Sequence, residues 1–121
     1  MDRYFSGDFI FNEFTEIPSL AFATYGSIIN TVKNHTLSFP KCTTVFYSAF
    51  YSRKGLTNIN LPVCTIIRSS AFTYCGPSFN ISAPEVSTMD GSAFYNCGIL
   101  NANFSKITFL NPNTFTYCGS L

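Results

Sequence analysis

The tripeptide Ser-Ala-Phe returns along this chain at 48–50, 70–72 and 92–94, and Asn113-Thr114-Phe115 follows 21 residues later. Leu20-Ala21-Phe22 stands 28 residues before the first of them. A period of about 20 to 50 residues marks a solenoid, because one coil cannot bury its apolar side until a neighbour stacks on it. The 121 residues hold about five such coils, which makes one domain rather than two.

Counting back from each phenylalanine sorts the chain into columns. Five positions before it stand Ile17, Val45, Ile67, Met89 and Leu110; eight before, Phe14, Cys42, Cys64, Val86 and Ile107. Eleven before stand Phe11, Phe39, Leu61, Ala83 and Phe104; thirteen before, Phe9, Leu37, Ile59, Ile81 and Ala102. Every column is apolar in all five coils, so they read as the stacked layers of one core. The two earliest alternate with polar neighbours, as in Ile59-Asn60-Leu61, which is the period of a half-buried strand. Each coil therefore opens with a short strand, and Pro40, Pro62 and Pro84 end its pairing in three of them. Thr15, Thr43, Thr65, Ser87 and Thr108 place a hydroxyl seven before each phenylalanine, suited to bonding backbone at a corner. The Ala-Phe step reads as a tight corner, with alanine letting the chain turn and phenylalanine filling the interior. No stretch sustains a 3.6-residue apolar period, so little helix is expected.

The reading is thus a β-rich solenoid of about five coils of ~22 residues. Residues 1–22 form a capping coil carrying Asp2, Asp8, Glu13 and Glu16, four of the six acidic residues. Residues 23–36 carry the extra length as an insertion, either a short additional strand or, preferably, a loop containing His35. Repeats then span 37–58, 59–80, 81–101 and 102–121, and Leu121 takes the place at which Leu56 and Leu100 begin a coil. The last coil reads as uncapped, so the natural protein continues or a further chain covers it.

Charged residues make up only 11% against about 25% in typical domains. The net charge is +1, and Arg3, Lys33, Lys41, Arg53, Lys54, Arg68 and Lys106 are scattered, which argues against nucleic acid as a partner. The first residues lack the basic and apolar regions of a signal peptide. No apolar run reaches the roughly 18 residues of a membrane span, so no membrane insertion is expected. The five cysteines follow the repeat, Cys42 with Cys64 and Cys75 with Cys97 and Cys118, rather than a metal motif. Stacked in columns on parallel neighbours, they suit reduced structural thiols better than disulfides. No metal and no cofactor is expected.

The pattern Leu/Ile-x-x-Pro-x-Cys/Val-x-x-Ile-x-x-Ser-Ala-Phe-x-x-Cys-x-x-Leu, read from Ile59 to Cys75 and from Ile81 to Leu100, resembles the BspA-type leucine-rich repeat. The resemblance covers roughly residues 9 to 121. Arg53 stands where the pattern has its late cysteine, and Ser78-Phe79 where it has leucine. It implies a right-handed repeat domain without a catalytic centre. Such domains occur on surface proteins of bacteria and some protists and in phage-encoded proteins, where they serve attachment and protein binding.

Two surfaces are candidates for binding. Ser38, Asn58, Asn60, Asn80, Ser82, Asn101 and Asn103 point outward from the strands as an uncharged polar ladder suited to a glycan or a protein, or else bond mainly to one another. Tyr51, Tyr74, Tyr95 and Tyr117 follow their phenylalanines by one or two positions, forming an interface row or packing between coils. Catalytic residues are not evident: His35 is the one histidine, and Glu85 and Asp90 fall on different sides of a coil. Asn34, Asn80 and Asn103 match the glycosylation sequon as by-products of an Asn/Ser/Thr-rich repeat, Asn34 being the most accessible. The expected function is a non-enzymatic module binding protein or glycan in surface attachment, located outside the cell or on a virion. The alternative is a structural component of a larger assembly, such as a phage virion or a tail-associated host-attachment protein.

Overall fold

The computed structural model describes residues 8–23, 34–53, 55–76 and 79–118. Its strands are β1 (Phe9–Ile10), β2 (Glu16–Ile17), β3 (Asn34–Ser38), β4 (Thr44–Val45), β5 (Leu56–Asn60), β6 (Ile66–Ile67), β7 (Phe79–Ser82), β8 (Thr88–Met89) and β9 (Ile99–Asn103). They form two parallel sheets, ordered β1-β3-β5-β7-β9 and β2-β4-β6-β8. Among the described residues there is no helix.

Pairing follows the phenylalanine count. Phe9, Leu37, Ile59, Ile81 and Ala102 are successive partners in the first sheet, and Ile17, Val45, Ile67 and Met89 in the second. A one-residue slip would turn every strand inside out, so the alternation of Ile59 with Asn58 and Asn60 holds the register. Between the sheets run the phenylalanines themselves. Phe22, Phe50, Phe72, Phe94 and Phe115 stack with centroids 5.1, 4.9, 4.9 and 5.5 Å apart and planes within 11°. Such offset ring pairs add about 0.5–1.5 kcal/mol each beyond their buried area.

Both corners have a backbone cause. Cys42, Cys64 and Val86 donate their N–H to Phe39, Leu61 and Ala83, three residues back. Pro40, Pro62 and Pro84 thereby occupy the second turn position, which their fixed φ suits. At the next bend Thr43 Oγ1 donates to the Thr15 carbonyl (3.1 Å) and Thr65 Oγ1 to the Thr43 carbonyl (3.3 Å).

The Ala-Phe corner works differently from the expectation. Alanines 49, 71 and 93 are buried inside it, but the turn is made by their predecessors. Leu20, Ser48, Ser70, Ser92 and Asn113 have φ of 63°, 56°, 58°, 63° and 63°; Ser52, Tyr74, Asn96 and Tyr117, two after the phenylalanine, repeat this at 59°, 61°, 52° and 62°. Left-handed backbone costs a residue with a Cβ roughly 1–2 kcal/mol. Hydrogen bonds hold it in place: Ala49 N–H donates to Phe46, Tyr51 to Ser48 and Arg53 to Phe50. Across to the next coil, Phe50 donates to Ala71 and Ser52 to Thr73.

Three expectations need correction. The apolar columns are buried in the inner coils but not at the ends: Phe9, Ala102 and Leu110 are exposed, and Phe104, Ile107 and Phe115 only partly covered. Among the described residues no further coil lies over them. Ile99, not Leu100, begins its coil; it is fully buried and pairs with Phe79, while Leu100 is 49% exposed. Ile99 and Leu56 both stand 16 residues before a phenylalanine, and the missing residue of the 21-residue interval falls before Ile99. A register shift between Phe79 and Asn80 takes up the difference, and Phe79 packs inward against Phe72 at 6.2 Å. Finally, β3 starts at Asn34, so His35 lies in a strand rather than a surface loop. Residues 24–33, the rest of the expected insertion, and Leu121 lie outside the described residues.

Candidate binding surface

Because side chains alternate along β3, β5, β7 and β9, the outward positions form two columns. The first holds Thr36, Asn58, Asn80 and Asn101. Asn58 Nδ2 donates to Thr36 Oγ1 (3.5 Å), Asn80 Nδ2 to Asn58 Oδ1 (3.0 Å) and Asn101 Nδ2 to Asn80 Oδ1 (2.9 Å). All three bonds run the same way, so the amide dipoles line up along the stack. The second column holds Ser38, Asn60, Ser82 and Asn103, with Asn60 Nδ2 donating to Ser38 Oγ at 3.2 Å. The seven residues expected on this face do share it, and much of their bonding is mutual. An amide has two N–H donors and two lone pairs, so each ladder asparagine retains capacity for a partner.

The tyrosines form a single row. Tyr51–Tyr74, Tyr74–Tyr95 and Tyr95–Tyr117 have centroids 5.5, 6.3 and 5.5 Å apart and planes at 83°, 82° and 83°. The perpendicular alternation follows from position: Tyr51 and Tyr95 follow their phenylalanine directly, whereas Tyr74 and Tyr117 sit one further on, in left-handed backbone. Edge-to-face geometry makes the row a packing element. It also reaches the surface, since Tyr51, Tyr74 and Tyr95 are half-buried and Tyr117 is exposed.

The cysteines are free and inward. Cys75 Sγ donates to the Phe50 carbonyl (3.0 Å), Cys97 to that of Phe72 and Cys118 to that of Phe94 (2.9 Å), each one coil back. Burial pushes the Cys97 thiol up to about 12, and Cys64, bonded to Cys42 and buried, is also raised. Thiols held protonated in this way are poor nucleophiles. Among the described residues, no three His, Cys, Asp or Glu side chains cluster to hold a metal. The two carboxylates considered for acid–base work are engaged across coils, Glu85 with Lys106 at 2.7 Å and Asp90 with Arg68 at 3.5 Å.

Sequence reasoning missed a groove of about 410 Å³ on the first coil, lined by Glu13, Phe14, Thr15, Glu16, Pro18, Ser19 and Phe46. The concentration of acidic residues there was its one visible signal.

A stack of short parallel strands, one pair per 21- or 22-residue coil around a phenylalanine spine, defines the class as a leucine-rich-repeat solenoid. The family model described as BspA type Leucine rich repeat region matches residues 8–121 in six copies, and the chain belongs to that family. Leucine-rich repeats generally mediate protein binding. No curated protein and no solved structure matches the chain. Among the described residues no helix is long and apolar enough to cross a membrane.

Proposed function

We propose that this chain is a non-enzymatic module that binds a protein at a cell or virion surface, in attachment, through the strand face of Ser38, Asn58, Asn60, Asn80, Ser82, Asn101 and Asn103. The aligned amide ladder from Asn58 to Asn101 carries the reading. Side chains already fixed by one another lose little freedom on binding, which is where polar interfaces otherwise forfeit affinity. The face carries no charge, so it selects by hydrogen bonding and shape. Asn60→Lys with Asn103→Lys, both exposed, tests it against panels of surface proteins and glycans. Loss of capture with an intact β spectrum supports the face as the site, and unchanged capture rules it out. Glycan capture alone would replace the protein partner with a carbohydrate.

A second reading, a structural component of a larger assembly such as a tail-associated host-attachment protein, is favoured by the last described coil. It leaves Phe109 68% and Leu110 54% exposed.

A further inference from the structure

We propose that the face of the coil at 102–118 docks the first coil, 8–22, of a second copy of this chain. This deepens the assembly reading and is independent of the strand face.

The two faces are the free edges of one repeating pattern. In the first sheet β1 and β9 are the outermost strands. Phe9 already pairs with Leu37 at the same level at which Ile81 pairs with Ala102. Placing β1 of a second copy on β9 continues that register, Ala102 meeting Phe9 and Asn103 meeting Ile10, which is 69% exposed. The partly covered Phe104 then receives Phe11, a ring that stacks at 4.9 Å and 11° on Phe39, its neighbour within the chain. Phe115 receives Phe22 in the central stack, and Leu110 receives Ile17.

Charge selects this occupant over another apolar surface. Nine positions before the phenylalanines stand Glu13, Lys41, Val63, Glu85 and Lys106. Within the chain Lys106 Nζ lies 2.7 Å from Glu85 Oε1, so residues of this column meet across one coil spacing. The next residue the column would bring to Lys106 is Glu13 of the second copy. That carboxylate is exposed on the rim of the groove, with Glu16 beside it. The contact joins two different faces, so it leads to open-ended growth rather than a closed dimer.

Light scattering and sedimentation equilibrium on the whole chain at low salt test this. The expected result is a mass that climbs through successive multiples of 13.4 kDa with concentration. Lys106→Glu and Glu13→Lys, each setting like charges face to face, should weaken association at least about tenfold. Mixing the two variants should restore it, because every contact between unlike chains is then Glu against Lys. Circular dichroism checks that each variant stays folded. Association that ignores the charge reversals, or stops at a dimer, overturns the head-to-tail contact while leaving the assembly reading. A monomer at every concentration overturns both.

Discussion

Arg53 Nη1 lies 3.3 Å from the carbonyl oxygen of Phe22 and donates to it from the position that later coils give to cysteine. Cys75, Cys97 and Cys118 each stand three residues after their phenylalanine, as Arg53 does, and each bonds the phenylalanine carbonyl one coil back. The column thus conserves an acceptor and varies the donor. At 1% exposure the guanidinium is nearly as buried as the thiols. Arg53→Met, which keeps the bulk and removes the donor, should lower unfolding free energy by about 2–3 kcal/mol. Arg53→Lys should recover part of the loss. The midpoint of urea unfolding, with its slope unchanged, reads both.

The phenylalanine stack should be most sensitive at its centre. Phe72 is fully buried between Phe50 and Phe94, so Phe72→Ala should cost about 3–5 kcal/mol. Phe115 is only partly buried, and Phe115→Ala should cost well under half of that. Equal costs at the two positions would contradict the exposure of the last coil.

Serine at left-handed positions sets a third expectation. Ser70 has φ 58°, where glycine is free of strain and a β-branched residue is not. Ser70→Gly should leave the melting temperature unchanged or raise it. Ser70→Val should lower stability by about 1–2 kcal/mol, although Ser70 is half-buried and fills no core site.

The buried thiols predict a pH dependence with a definite sign. Cys97 rises from 9.0 in the unfolded chain to about 12 in the fold, so the folded state favours the protonated form. Its contribution is fully present below about pH 9 and is lost as pH rises from there towards 12. Urea midpoints should hold between pH 7 and 8.5 and fall between pH 9.5 and 10.5, and Cys97→Ala should flatten that fall. In a native labelling experiment Cys118, the least buried, should react first.

How far the sequence could be read varies from residue to residue. Ile59-Asn60-Leu61 and the spacing of Phe50, Phe72 and Phe94 gave strands, register and spine, because burial on a repeating backbone leaves period and apolarity as direct traces. The left-handed Ser48, Ser70 and Ser92 left none: their φ is imposed by bonds from neighbouring coils, and serine is at home in many conformations. Leu100 misled because the count ran forward from Phe94, whereas the pairing answers to Phe115. On the strand face the positions of Asn58, Asn80 and Asn101 were legible from alternation. Their common bonding direction was not, since it depends on amide rotation within the stack.

The tyrosine row follows a longer rhythm than the core. Tyr51 and Tyr95 share one offset and Tyr74 and Tyr117 the other, so the pattern on that edge recurs every second coil. The edge therefore has parity. Copying one coil into the stack would set two tyrosines of the same offset side by side and break the perpendicular sequence at the seam. Copying a neighbouring pair would extend it without a fault, so growth by duplication is smooth on this edge only in even steps.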